Sequence, residues 1–405
     1  MSSLAPAVPW RQDASTIGVV SVAHGMSHFC QLMVPPLFPW IGASFGLSNT
    51  RLGALMSVFF IVSCAGQAAA GFVVDRFGAP RVLMAGLALM AVAAFGLALA
   101  PDYPTLLLCM AIAGLGNCVF HPVDFSILNG RISAPRLGHA YAAHGISGSL
   151  GWALAPVFVV GVAGATGSWR QALVAVGALV LATLALVVLR RDTLAQPRSR
   201  SAASAPPDPG FGFLRHPAVW ACFLFFTVYA MALGGLQSFA PAAAAQIHGL
   251  PMAQAAVCLS VYMVAAGVGM VLGGHLVRDP QRAVRVASFG FAVAATAAVL
   301  LALGHWPGLL VLALFALMGT GSGIAGPSRD LLVKQATPPG ATGRVYGVVY
   351  SGLDVGMTVA PLAFGAMMDA GRFREVWLGI ALMLALLIGT AFNVRRSSRA
   401  AAAPA

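Results

Sequence analysis

The sequence predicts an all-α integral membrane protein with twelve transmembrane helices in two six-helix parallel repeats. The first observation is compositional: 59% of the 405 residues are hydrophobic and only 8% are charged. The second is an internal repeat, because the segment Asn117–Asp124 is matched without a gap, 205 residues later, by Ser322–Arg329. Self-similarity at half the chain length indicates duplication of one structural unit.

Apolar stretches of about 20 residues, the length that crosses a bilayer core of about 30 Å, recur along the whole chain. Glycine and proline are frequent, with 46 and 25 copies, and both are commoner in transmembrane helices than in soluble ones. The predicted spans are residues 17–42, 52–74, 82–100, 105–128, 138–163, 170–189, 218–243, 254–277, 284–304, 308–332, 344–368 and 376–393.

The repeat also covers the early helices of each half. Gly46, Ser57, Gly66 and Gly71 are matched at an offset of 203 by Gly249, Ser260, Gly269 and Gly274. The two halves therefore run in the same direction, and in such proteins the substrate site lies near mid-membrane between them.

One long polar segment divides the chain. Residues 190–217 are rich in Ser, Pro and Arg, which is typical of a flexible linker. We expect an N-terminal six-helix half at 1–189, this cytoplasmic linker, and a C-terminal half with a short cytoplasmic tail at 218–405. No stretch is long enough for a soluble catalytic domain, so we expect no enzyme activity, no catalytic residue and no cofactor.

The net charge of +12 does not indicate nucleic-acid binding, because the basic residues fall mainly on one side of the membrane. Cytoplasmic loops carry the excess of Lys and Arg, so the termini are expected in the cytoplasm. The Ala- and Gly-rich composition with short loops favours a multi-pass protein of the bacterial inner membrane, and we expect a monomer. The residues on the cytoplasmic side are Arg11, Arg76, Arg81, Arg131, Arg136, Arg190, Arg191, Arg198, Arg200, Arg215, Arg278, Arg282, Arg285, Lys334, Arg344, Arg395, Arg396 and Arg399; those outside are Arg51, Arg170, Arg372 and Arg374.

The loop between spans 2 and 3 carries a short motif, formed by Gly71, Asp75, Arg76, Gly78 and Arg81. It resembles the loop motif of the major facilitator superfamily, and the resemblance, which covers the whole chain, implies the major facilitator fold. We expect Gly71 to allow close helix approach, and Asp75 to cap a helix or pair across the boundary between the halves. Arg76 and Arg81 would hold that boundary shut from inside.

A finer resemblance is to the fosmidomycin-resistance branch of that superfamily. It rests on the run Val119–Pro122, followed by Arg136, Gly138, Gly148, Gly151 and Pro156, and on His24, Gln31 and Pro39. The resemblance implies a proton-driven exporter of small, often anionic or toxic compounds. This chain has His28 where the branch usually carries a carboxylate, and Val123 separates the His-Pro pair from Asp124.

Two polar stripes are the first candidates for a substrate or proton cavity. Ionisable side chains in hydrocarbon are costly and so indicate function by default. Span 1 carries one stripe and span 4 the other, each at i, i+4 and i+7, which places each set on one helix face. The alternative is that they only hydrogen-bond helices together. The stripes are His24, His28 and Gln31, and Asn117, His121 and Asp124.

The second half contributes a carboxylate and a guanidinium. Asp354 lies about ten residues into span 11, roughly 15 Å deep, with Tyr350 and Thr358 at helical spacing. We expect it to carry protons or to form a static pair with Arg329 of span 10. Arg329 replaces Asp124 under the repeat, and it either holds an anionic substrate or extends towards the interface.

Weaker cavity candidates are His144 in span 5 and Tyr229 in span 7. An intramembrane histidine can relay protons, but it is as often a packing residue. The run Gly145-x-x-Gly148-x-x-Gly151 before Pro156 indicates close helix packing and a hinge.

Together these features predict a secondary active transporter: proton-coupled export of a small organic solute, anionic or toxic, by alternating access. Its partners are that solute, protons and the bilayer, with no nucleic acid. The alternatives are proton-coupled uptake of a small organic acid, or transport of a metal ion by His24, His28, His121 and His144. We assign no metal ligand, because the six cysteines lack zinc-ligand spacing and no Cys/His capture site lies outside the spans.

Overall fold

A computed structural model describes residues 10–133, 136–194, 217–276, 283–336 and 342–402, with most of their side chains. All regular structure in these ranges is helical, as the fold class predicted. The helices are α1 Trp10–Gln31, a 3-10 turn Pro35–Leu37, α2 Phe38–Phe45, α3 Asn49–Phe77, α4 Ala79–Leu99, α5 Tyr103–Asn117, α6 Phe120–Arg131, α7 Leu137–Thr166, α8 Trp169–Leu189, α9 Arg191–Leu194, α10 Pro217–Ser238, α11 Ala240–His248, α12 Met252–Leu276, α13 Ala283–Leu303, α14 Gly308–Ala336, α15 Thr342–Asp369 and α16 Phe373–Ala402.

Twelve helical segments in the described ranges are long and apolar enough to cross a membrane, which confirms the predicted number. Two of them are interrupted. The first comprises α1, the 3-10 turn and α2, and it is interrupted after Gln31 by residues 32–34 and the 3-10 turn Pro35–Leu37. The fourth comprises α5 and α6, which are separated at Cys118 and Val119. Most of the predicted linker, residues 195–216, lies outside the described ranges.

Helix contacts divide the chain into two compact units. The first contains residues 1–34 and 62–207, and the second contains 35–61 and 208–405. The boundary expected from the sequence, at the linker, places residues 35–61 in the N-terminal half instead.

The same pairs of helices meet in each unit. In the first, α1 packs on α7, and α4 packs on α5 and α8. In the second, α10 packs on α15, and α13 packs on α14 and α16. These are equivalent helices under the repeat, so the duplication seen in the sequence is also a duplication of packing.

Glycines at equivalent positions make the two principal contacts possible. A Cβ on Gly151 of α7 would overlap the carbonyl of Gly25 in α1. A Cβ on Gly356 of α15 would overlap the carbonyl of Thr227 in α10. Small residues allow helix backbones to approach closely in membranes, so the packing role expected for the α7 glycine run is confirmed at Gly151.

The start of α5 is fixed by its preceding residue. Asp102 Oδ1 accepts hydrogen bonds from the hydroxyl of Thr105, at 2.6 Å, and from its backbone N–H, at 2.9 Å. The bond from the hydroxyl contributes most to holding the pKa of Asp102 below its ordinary value, followed by the bond from the N–H. An aspartate at this position satisfies a backbone donor that the helix itself leaves open.

Candidate functional site

The polar stripes of spans 1 and 4 meet in the first unit, where α7 joins them. Asp124 of α6 is fully buried, at 0% exposure. Its Oδ2 lies 3.0 Å from His24 Nδ1 of α1 and 3.1 Å from His144 Nε2 of α7. An ionised carboxylate only accepts hydrogen bonds, so with Asp124 ionised His24 carries its proton on Nδ1 and His144 on Nε2.

Four imidazole rings surround this carboxylate, and we call His24, His28, His121, His144 and Asp124 the histidine cluster. The rings of His24 and His144 stack with centroids 3.5 Å apart. The ring of His28 lies 4.4 Å from that of His24, and the ring of His121 lies 5.3 Å from it. His121 is exposed, whereas the other four members are buried. The cluster therefore has one member at a surface and four inside.

Three buried side-chain atoms of the cluster, on two residues, have no well-aligned hydrogen-bond partner among the described residues. They are Asp124 Oδ1 and both ring nitrogens of His28. His28 is 9% exposed and lies against the backbone of Gly148. Buried polar atoms without partners are costly and call for an explanation.

Gly148 provides the space for these rings. A Cβ at this position would lie 2.9 Å from His28 Nδ1 and 3.0 Å from His24 Nε2. Real Cβ atoms essentially never approach other atoms more closely than 3.0 Å. A side chain at Gly148 would therefore push both rings out of place.

The remaining residues of the two stripes form a separate amide network. Asn117 Oδ1 accepts hydrogen bonds from Ser27 Oγ at 3.0 Å and from Gln31 Nε2 at 3.1 Å, and Asn117 Nδ2 donates to Ser63 Oγ at 2.8 Å. Gln31 Oε1 accepts from Trp152 Nε1 at 2.9 Å. Gln31 and Asn117 thus bond to each other and to neighbouring helices, as the helix-linking alternative described.

The break between α5 and α6 falls between the cluster and this network. Asn117 is the last residue of α5, and His121 is the second of α6. Interrupted helices in membranes occur where the freed backbone is buried in protein or lines a cavity. The break therefore places Asn117 on α5, and His121 and Asp124 on α6.

In the second unit the predicted residues are less closely grouped. Tyr229 of α10 is half-buried and lines a small cavity with Tyr262, Ser322 and Met318. Ser322 is the repeat equivalent of Asn117, so the two units carry polar residues at this matching position. Asp354 is half-buried in α15. Arg329 lies in α14, but its side chain is outside the described part of the structure, and so is the pairing considered for it.

The loop motif joins α3 to α4. Asp75, Arg76 and Arg81 are exposed, and the guanidinium of Arg76 lies 5.4 Å from the ring centroid of Phe77. A Cβ added to Gly71 would meet no described atom within 4 Å. The described residues therefore show no close approach at Gly71, and its expected role in helix approach stays a prediction.

Gly78 has a different and necessary role in this loop. Its φ is +86°, a conformation that side chains rarely adopt. It directly precedes the first residue of α4.

The sequence analysis missed Trp152, Ser27 and Ser63. A buried tryptophan usually needs a hydrogen-bond partner for its N–H, and this could have identified Trp152, which follows Gly151. Nothing in the sequence singles out the two serines.

Twelve spanning helices with duplicated packing and a buried polar cluster define the class of multi-span membrane transporters. The sequence pattern of the Major Facilitator Superfamily matches residues 20–361. The chain belongs to this superfamily.

Two bacterial relatives are similar to this chain over most of its length. The uncharacterized MFS-type transporter YfnC of Bacillus subtilis (strain 168) is 26% identical over 382 residues, which cover 90% of this chain and 89% of YfnC. The fosmidomycin resistance protein of Escherichia coli (strain K12) is 26% identical over 346 residues, covering 84% of this chain and 83% of that protein. The resemblance to the fosmidomycin-resistance branch is therefore confirmed.

Solved structures confirm the fold. A bacterial homolog of the human lysosomal transporter Spinster, in an inward-facing and occupied conformation, matches with a TM-score of 0.78. The match covers 96% of this chain and 98% of that one, at 17% sequence identity.

Proposed function

We propose that this transporter exports a small organic solute in exchange for protons, by alternating access. Anionic and toxic compounds are the first class to test. The observation that carries proton coupling is the position of Asp354, a carboxylate within a membrane-spanning segment of α15 that is only partly covered by protein.

The physical argument concerns the cost of charge in the membrane. A carboxylate at the centre of a span costs about 2.5–3.5 kcal/mol on insertion scales. Taking up a proton removes that charge, so the protonated and ionised forms favour different surroundings. A carrier is coupled to protons when such a difference favours one of its two conformations over the other.

Export rather than uptake is supported by one relative, which is named as a resistance protein. Arg329 is the proposed contact for an anionic group of the solute, because a guanidinium binds carboxylate and phosphate with two parallel hydrogen bonds. Tyr229 is proposed to line the path of the solute in the second unit, where it already lines a cavity.

The proposal also includes the location of the protein, its oligomeric state and the movement of its halves, and the distribution of charge supports the cytoplasmic position of the termini. Both termini lie in the cytoplasm of a bacterial inner-membrane protein, and the protein acts as a monomer. The halves at 1–189 and 218–405 change their relative position during transport, with 190–217 as the connecting segment. Asp75 and Arg76 at the end of α3 and Arg81 near the start of α4 control that change from the cytoplasmic side.

The test is growth of a pump-deficient bacterial host on small organic acids, phosphonates, fosmidomycin and aromatic compounds. The strains carry the wild type, Asp354→Asn or Asp192→Asn at equal expression. Asp192 is the matched control because its side chain is 96% exposed. We expect protection by the wild type and by Asp192→Asn, but not by Asp354→Asn.

Two results would contradict the proposal. Sensitisation of the host by the wild type would show uptake instead of export. Full protection by Asp354→Asn at every external pH would remove Asp354 from the coupling mechanism.

A further inference from the structure

We propose that the histidine cluster of the first unit binds a divalent transition-metal ion of the Zn²⁺ type. The ligands are one ring nitrogen each from His24, His121 and His144. This inference goes beyond the proposed function, which depends on Asp354 in the second unit and needs no metal.

The first argument is distance. One ring nitrogen from each of these three histidines lies within 4.8 Å of the other two. Nitrogens bound to zinc at about 2.0–2.1 Å in a tetrahedral site are roughly 3.4 Å apart. The ring nitrogens must therefore move closer together when the ion binds, and His121 is the exposed member of the three.

The second argument is the role of Asp124. Histidine ligands of metals almost always donate their other ring N–H to a carboxylate or carbonyl, which fixes the tautomer and orients the ring. Asp124 Oδ2 makes such contacts with two of the proposed ligands, at 3.0 and 3.1 Å. In this arrangement His24 Nε2 and His144 Nδ1 keep their lone pairs for the ion.

The third argument is His28, which lies inside the same cluster. Both of its ring nitrogens are buried without a well-aligned hydrogen bond among the described residues. Its ring centroid lies 4.4 Å from that of His24, and its Nδ1 and the Nε2 of His24 face the same glycine, Gly148. His28 is therefore placed to supply a fourth nitrogen, which would complete a tetrahedral ligand set.

Binding has one structural requirement. An imidazole lone pair lies in the plane of its ring, so two stacked rings cannot direct their lone pairs at one ion. The stack of His24 on His144, at 3.5 Å and 23°, must open when both coordinate. The absence of a side chain at Gly148 leaves the rings of His24 and His28 free of a clash at that point.

The chemistry of the donors selects the class of ion. Imidazole suits zinc, nickel, cobalt and copper, whereas magnesium and calcium prefer oxygen ligands. Three or four neutral imidazoles with a single carboxylate therefore favour Zn²⁺ over Mg²⁺.

The test uses the full-length protein in detergent, purified without a polyhistidine tag. Isothermal titration with ZnCl₂ measures affinity, and the visible absorption of Co²⁺ reports its coordination by nitrogen. The variants are His121→Ala, which removes an exposed ligand, and His139→Ala, a control at an exposed histidine of α7 outside the cluster. Elution volume and the Tm without metal show that each variant is folded.

We expect saturable Zn²⁺ binding, a Co²⁺ spectrum and a rise in Tm with ZnCl₂, but no response to MgCl₂. His121→Ala should weaken Zn²⁺ binding at least about tenfold, and His139→Ala should not change it. No zinc binding by the wild type, or equal binding by His121→Ala, would overturn the proposal. These readouts do not involve transport, so the metal site and the proposed function can fail separately.

Discussion

Asp369, the last residue of α15, caps the first turn of α3 through Thr50, 319 residues away in the sequence. Asp369 Oδ2 accepts hydrogen bonds from the backbone N–H of Thr50 at 2.8 Å and from its hydroxyl at 2.6 Å. Asp369 Oδ1 accepts two more from Asn49, at 2.6 and 3.0 Å. A carboxylate is unfavourable at the C-terminal end of its own helix and favourable at the N-terminal end of another, so this contact ties α15 to the start of α3.

The first prediction concerns that cap. Asp369→Ala should destabilise the protein by about 1–2 kcal/mol, since two backbone N–H groups at a helix start lose their acceptor. The Tm in detergent measures the effect, with Asp192→Ala as the control. A Tm equal to that of the control would show that the cap contributes nothing to stability.

The second prediction tests the duplicated packing. Gly151→Ala and Gly356→Ala should each destabilise the protein by about 1–3 kcal/mol, because the new methyl group overlaps a backbone carbonyl of the neighbouring helix. Gly164→Ala is the control on α7, since a Cβ there meets nothing within 4 Å. If all three variants had the same Tm, the close approach of α1 to α7 and of α10 to α15 would be wrong.

The third prediction concerns the amide network. Asn117→Ala removes three hydrogen bonds, namely those accepted from Ser27 and Gln31 and the one donated to Ser63. Side-chain hydrogen bonds between membrane helices contribute on average about 0.6 kcal/mol each. We expect a loss of about 2 kcal/mol, with a smaller loss for Trp152→Phe, which removes one hydrogen bond. An unchanged Tm but an altered range of exported compounds would instead assign Asn117 to solute binding.

The fourth prediction separates gating from recognition in the loop between α3 and α4. Asp75→Asn should slow transport without changing which compounds are transported, because Asp75 lies in the last turn of α3 and outside the histidine cluster. Gly78→Ala should lower stability by about 1 kcal/mol, since φ at this position is +86°. Transport rates for several compounds, normalised to the wild type, test the first part; a shifted substrate profile would contradict a pure gating role.

The fold was largely predictable because two features that define it, the apolar spans and the internal repeat, extend over long stretches of sequence. Spans of about 20 apolar residues are visible without tertiary information, and the 205-residue repeat predicted two equivalent six-helix halves. The breaks in spans 1 and 4 were not predicted, although Pro35 and Pro36 mark the first.

The sequence predicted which residues form the histidine cluster, but not which of their side chains contact each other. Helical spacing placed His24 and His28 on one face and His121 and Asp124 on another. Spacing within a helix does not show which faces meet, so the contact between His24 and Asp124, 100 residues apart, required the structure. The hydrogen bond between Gln31 and Asn117 could not be predicted either, because it also joins two different helices.

The role of Asp354 in proton coupling is the central claim, and proton movement in everted membrane vesicles tests it most directly. Vesicles are energised to acidify their lumen, and a pH-sensitive dye follows the gradient after addition of the compound against which the wild type protects cells in the growth assay. We predict that the compound partly dissipates the gradient in vesicles with the wild type or Asp192→Asn, and leaves it unchanged with Asp354→Asn. An equal response with Asp354→Asn, or transport of the compound by the wild type with no proton movement, would contradict the account.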